Sequence, residues 1–190
     1  MPTDTDIVNR TRAVLVLIDM QDRLADVMPR RDAVVATSAL LARVAGTLEV
    51  PVIVTRQYPA GLGDTVAELR EVCGDRDPVD KTTFDCLAEP GFRERLEGLS
   101  RRQVIIAGME AHICVTQTAL SLLGEGYLVH VVADAVCSRR DDDRDVALGR
   151  VRAAGAVVTT AESVIYEALG RAGTPEFRAV LELVKAHPLG

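Results

Sequence analysis

Lysine is almost missing from this chain: of 22 basic residues only Lys81 and Lys185 are not arginine. Histidine occurs three times, at His112, His130 and His187, with no spacing that would make a zinc or iron site beside a carboxylate, so no metal is expected. The four cysteines, Cys73, Cys86, Cys114 and Cys137, form no CxxC pair or short-range framework, which predicts reduced thiols. No window reaches the roughly 18 apolar residues of a membrane span. The first residues lack the charged-then-apolar pattern of a signal peptide. A cytoplasmic location without a membrane partner is therefore the expectation. The first apolar run leads into Asp19-Met20-Gln21-Asp22-Arg23 and not GxGxxG, which argues against a dinucleotide-binding dehydrogenase. Nor is a nucleic-acid partner expected. The net charge is −6, and the Arg101-Arg102 and Arg139-Arg140 pairs are short, the second running straight into Asp141-Asp142-Asp143.

What is present is an ordinary globular composition, 48% hydrophobic and 26% charged over 190 residues, enough to bury one sizeable core. Apolar runs at 13–20, 51–55, 103–107, 128–132 and 156–159 alternate with amphipathic segments at 31–48, 91–99, 112–124, 141–154 and 161–170. Another strand is expected near Lys81, and a last helix from Thr174 to Lys185. Gly124, Gly126 and Gly155 fall where helices hand over to strands. This alternation predicts an α/β fold, a three-layer, doubly wound, mostly parallel sheet with helices on both faces, forming one domain over 1–190 with a core from about 13 to 185.

Three residues stand out for chemistry. Cys114 follows the run Val104–Ala107 and Gly108, in the first turn of an expected helix, where free N–H groups and the helix dipole favour a thiolate and can hold an oxyanion. Asp19 closes a strand that reads as buried on both faces, and ligands of open α/β sheets bind outside the carboxyl ends of strands. Lys81 is an ammonium kept in a chain that otherwise uses arginine, and its pKa can move with its surroundings. Each has an ordinary alternative: a packed core cysteine, a turn-capping aspartate, a chance surface lysine.

Together they resemble the isochorismatase-like cysteine hydrolases, whose members include nicotinamidase and several small amide and ureide hydrolases. The resemblance rests on Asp19-Met20-Gln21, Lys81-Thr82, Gly108 to Val115, Val131-Val132-Ala133-Asp134-Ala135 and Ser138-Arg139. It runs from about Ala13 to the C-terminal helix. Pro51 to Pro59, with Gly61-Leu62-Gly63, is most similar to the isochorismatase-domain subgroup. The chain departs from nicotinamidase in having no histidine in the loop Arg56 to Gly61, and from many members in having Ala111 where a threonine precedes the cysteine.

The resemblance implies a cofactor-free hydrolase that cleaves a C–N bond of a small amide or ureide. Asp19 would take the thiol proton of Cys114, and Lys81 would support the charge. Backbone N–H groups of Glu110 and Cys114 would form an oxyanion hole beside a cis Met109–Glu110 peptide. Gln57, Tyr58, Phe84 and His112 are candidate pocket residues, and the protein is expected to be a homo-oligomer, a dimer or tetramer, acting on a small molecule. A Cys114–His112 dyad is a rival, although residues two apart on a helix do not face each other. Two further alternatives are a vinyl ether hydrolase of the isochorismatase type and an idle interaction protein of the same fold.

Overall fold

A computed structural model describes residues 7–74 and 77–187. The valine- and isoleucine-rich runs form six strands, β1 (Ala13–Ile18), β2 (Val52–Gln57), β3 (Val79–Lys81), β4 (Gln103–Met109), β5 (Leu128–Cys137) and β6 (Val157–Thr159). They make one sheet of order β3-β2-β1-β4-β5-β6, and every neighbouring pair is parallel. Parallel strands need crossovers, and the apolar faces of the intervening helices cover both sides of the sheet.

The side-chain alternation along β1 assigns those sides. Ala13, Leu15 and Leu17 pack with Leu41, Val44 and Ala45 of α2 (Arg31–Thr47), with Leu69 of α4 (Ala67–Cys73) after the short α1 (Asp22–Ala25) and α3 (Pro59–Leu62), and with Ile165 of α8 (Ala161–Leu169) and Val180 of α9 (Pro175–Ala186). Val14, Val16 and Ile18 face the other way, toward Phe92 of α5 (Pro90–Gly98), Leu122 of α6 (Thr116–Gly124) and Val151 of α7 (Asp141–Ala153). This is the period-two rule of a strand buried on both faces.

Strand order reverses between β1 and β4, whose register runs from Ala13 opposite Gln103 to Ile18 opposite Gly108. At such a switch point the two flanking connections leave in opposite directions and a crevice opens at the carboxyl ends. Asp19 follows β1 there and Glu110 follows β4.

Several expected elements differ in extent. The first strand ends at Ile18, because Asp19 adopts a left-handed backbone (φ 53°) that turns the chain out of the sheet. The fourth run extends beyond 132 to Cys137, its register with β4 shifting between Ile106 and Gly108. The helix expected from 112 to 124 opens with a π-turn over Ala111–Val115, in which Val115 N–H bonds to Glu110 O at 3.3 Å before α6 begins. The short helices α1, α3 and α4 lie in segments where the sequence suggested none.

Candidate active site

Asp19, Lys81 and Cys114 come from three separate strand ends and meet at the switch point. Asp19 and Lys81 are wholly buried, and Lys81 Nζ donates to Asp19 Oδ2 at 2.7 Å. The ammonium also donates to Gln57 Oε1 at 2.6 Å and to Thr83 O at 3.1 Å, so its three N–H donors have three acceptors. The second aspartate oxygen, Oδ1, accepts from Thr55 Oγ1 at 2.7 Å, and the Asp19 N–H reaches Thr55 O at 3.2 Å. The Cys114 thiol lies beside the same carboxylate.

Burial and neighbouring charge set the protonation states. Burial pulls the Lys81 pKa down, but the negative charge of Asp19, the thiols of Cys86 and Cys114 and the hydrogen bond to Asp19 together carry it above its ordinary value. Lys81 is therefore a charged ammonium at neutral pH. The Cys114 thiol moves the other way from the sequence expectation: burial, and then the charge of Asp19, push its pKa up, and Lys81 offsets only part of this. A π-turn that buries its thiol next to a carboxylate does not hold a resting thiolate. The resting pair is a neutral thiol and an acceptor carboxylate.

Around the cysteine, the Met109–Glu110 peptide is cis. Ile113 N–H (3.1 Å) and Val115 N–H (3.3 Å) both bond to Glu110 O, and neither bond uses the intervening N–H of Cys114. Glu110 itself is buried, and its Oε2 accepts from Arg139 N at 3.0 Å and Arg139 Nε at 3.1 Å, which ties the end of β5 to the turn.

The Isochorismatase domain family model matches residues 13–163. The chain belongs to the isochorismatase domain family. It is similar to isochorismatase domain-containing protein 2 of Homo sapiens, with 41% identity over 174 residues, 91% of this chain and 83% of that one. Among solved structures it is similar to MAR1 ribonuclease of Caenorhabditis elegans, at 38% identity and a TM-score of 0.89, covering 96% of this chain and 94% of that one. It is also similar to the YcaC gene product of Escherichia coli, an octameric hydrolase of unknown specificity, at 26% identity and a TM-score of 0.87, covering 96% and 91% of the two chains.

In this isochorismatase domain the other expected site residues take different places. Gln57 is committed on both ends of its amide, Oε1 to Lys81 and Nε2 to Thr82 O at 2.9 Å, so it orients the lysine. Tyr58 and Phe84 are 57% and 53% exposed, on the loops after β2 and β3. They are not core aromatics. His112 Nδ1 lies 2.9 Å from Ser138 Oγ, and the groups acting most strongly on the Cys114 thiol are Asp19, Lys81 and Cys86, without His112.

Sequence reading missed Thr55, Gln21 and Cys86. Gln21 Oε1 accepts from Gln57 N at 2.7 Å, while its Nε2 donates to Gln57 O and Gly63 O at 3.0 and 2.8 Å. The only signal for Thr55 is a hydroxyl at the end of the apolar run 51–55, one strand away from Asp19. Among the described residues, no group of three or more His, Cys, Asp or Glu is placed to hold a metal, and no helix is long and apolar enough to cross a membrane.

Proposed function

We propose that this isochorismatase domain is a cofactor-free cysteine hydrolase that cleaves a C–N bond of a small amide or ureide. The observation that carries the reading is one buried carboxylate between an ammonium and a thiol: Asp19 holds Lys81 Nζ at 2.7 Å, and its charge acts on the neighbouring Cys114 thiol. A buried acid with a charged partner on one side and a neutral thiol on the other is arranged to take a proton.

As substrate enters, Asp19 removes the Cys114 proton while Sγ bonds to the carbonyl carbon, and the C=O electron pair moves to oxygen. The N–H groups of Glu110 and Cys114 receive that developing charge; losing one such donor typically costs on the order of a hundredfold in rate. The oxyanion then collapses, the C–N bond breaks, and the nitrogen leaves with the proton held by Asp19. Water attacks the thioester with its proton passing to Asp19. Collapse of that second adduct releases the acid and returns the proton to sulfur. Lys81 stays an ammonium throughout, so the unit never carries an uncompensated second negative charge.

A vinyl ether hydrolase would need an acid but no thiol nucleophile, and an idle scaffold would need none of the three groups. The Cys114 thiol on Asp19 favours the hydrolase over both. The net charge of −6 supports a small-molecule substrate over the nucleic acid that the name of the C. elegans relative suggests. The octamer of the E. coli relative supports a homo-oligomer, a dimer or larger.

The test is a panel of small amides, ureides and isochorismate, assayed for product release by the wild-type protein and by Cys114→Ala. Release of ammonia or amine by the wild type alone is the expected result. Turnover of isochorismate that persists in Cys114→Ala would establish the vinyl ether chemistry instead.

A further inference from the structure

Asp19 has one carboxylate oxygen on Lys81, and the proposed mechanism leaves open what controls the other. Thr55 lies at the same level of the adjoining strand, since Leu17 of β1 is opposite Val54 of β2. Its hydroxyl is completely buried and donates to Asp19 Oδ1 at 2.7 Å. A hydroxyl has a single proton, so this bond uses Thr55 entirely as a donor and leaves its lone pairs for other neighbours.

The thiol of Cys86, on the 3₁₀ turn Cys86–Ala88, lies beside both Thr55 and Thr118. The Cys86 N–H also donates to Thr118 Oγ1 at 3.0 Å. Thr118 stands four residues after Cys114, one helical turn along the same face. Burial pushes the Cys86 thiol up to about 12, with the Asp19 charge next in effect, so at neutral pH Cys86 remains an S–H group. The titratable groups facing Asp19 are thus Lys81 from β3, Cys114 from the π-turn and Cys86 from the 3₁₀ turn.

We propose that Thr55 is a positioning residue for this reaction, fixing the rotation of the Asp19 carboxylate toward Cys114 and favouring its ionised form. The proposal rests on the reading of Asp19 as the base. Thr55 touches neither substrate nor thiol in this role. It acts through Asp19, because a donor to an ionised carboxylate favours the charged form and its removal favours protonation.

The test needs no substrate. The rate of Cys114 alkylation by iodoacetamide, followed by peptide mapping, is measured against pH for the wild type, Asp19→Asn, Thr55→Val, Thr55→Ala and Thr55→Ser, each shown to be folded by circular dichroism. The wild type should show an acid limb that Asp19→Asn lacks. Thr55→Val and Thr55→Ala should move that limb up by about one pH unit, the scale of one hydrogen bond to a charged group. Thr55→Ser, which keeps the hydroxyl, should stay near the wild-type position. If Thr55→Val does not fold, the contrast between Thr55→Ala and Thr55→Ser decides. A limb that is present in the wild type but unmoved in both hydroxyl-free variants, or moved as far by serine, overturns the role of Thr55 and leaves the hydrolase reading standing. A wild-type profile with no Asp19-dependent limb removes the base, and with it both readings.

Discussion

Gly108 approaches β1 so closely that a Cβ on it would stand 2.2 Å from the Ile18 carbonyl oxygen and 2.8 Å from Ile18 N. Its φ of 144° lies in a region that residues with side chains rarely adopt. The contact falls at the sheet's switch point, one residue before Asp19 on β1 and two before Glu110 on β4. Packing of these two backbones therefore places the aspartate relative to the cysteine turn.

Gly108→Ala should cost more than about 4 kcal/mol, because backbone on both sides must move and the conformation is strained as well. Gly149, inside α7 with nothing within 4 Å of a built Cβ, should respond in the opposite sense, with alanine gaining about 0.5–1 kcal/mol of stability. Denaturant unfolding of the two variants checks both signs. A Gly108→Ala protein as stable as wild type would show that the close approach does not govern the switch point.

The three residues of the proposed triad stand out in the sequence because each closes a recognisable pattern: an apolar run ending in Asp19, a lone Lys81 before two threonines, and a glycine break ahead of Cys114. The doubly wound fold followed from the alternation of runs, and β3 was anticipated only as a strand near Lys81. What was not legible depends on neighbours across the sheet. Thr55 reads as an ordinary residue of β2, and Gln57 as a pocket candidate, until pairing with β1 and β3 sets them against Asp19 and Lys81. The π-turn was hidden because apolar spacing over Ala111–Val115 suits a π-turn and an α-helical turn alike. The direction of the Cys114 shift was misjudged because the thiol is buried beside the Asp19 charge, which a sequence does not record.

Lys81→Met should be strongly destabilising, by about 3–5 kcal/mol, since it leaves the Asp19 carboxylate buried without its ion-pair partner. Adding Asp19→Asn should recover part of that loss, because a neutral amide no longer needs the ammonium. A double-mutant cycle in urea measures the coupling. Additive losses would mean that the two side chains act independently despite their 2.7 Å contact.

Stability should fall in alkali. Burial raises the thiols of Cys86 and Cys137 from 9.0 to about 12 and raises Cys114 as well, while the surroundings of Lys81 raise its pKa above 10.5. In each case the folded state keeps a proton that the unfolded chain gives up. The contribution is complete below the unfolded pKa and disappears as pH climbs to the folded value. The thiols therefore act from about pH 9 to 12, with a slope of up to roughly 1.4 kcal/mol per pH unit for each group. Unfolding midpoints measured from pH 8 to 10.5 should drop progressively, and Cys137→Ala should make the decline shallower. A flat profile would show that the thiols are not held in their protonated form by the fold.

His112→Ala separates the two ways of activating Cys114. The imidazole is engaged with Ser138 at 2.9 Å, and the thiol lies beside Asp19, so removing the ring takes away a contact to the end of β5 and no partner of sulfur. Alkylation of Cys114 at neutral pH, and turnover of any substrate identified, should stay within about tenfold of wild type in His112→Ala. In Asp19→Asn turnover should fall by on the order of a thousandfold, the scale of losing a general base. The pattern with the roles exchanged, an inert His112→Ala beside an active Asp19→Asn, would assign the proton to histidine and leave the buried Asp19–Lys81 pair a structural ion pair. Asp19→Asn also removes the charge that raises the thiol pKa, so in that variant the thiolate absorbance of Cys114 should appear at lower pH even as turnover is lost. A histidine base would not produce that opposition, because the carboxylate would then bear on the thiol's ionisation without taking its proton.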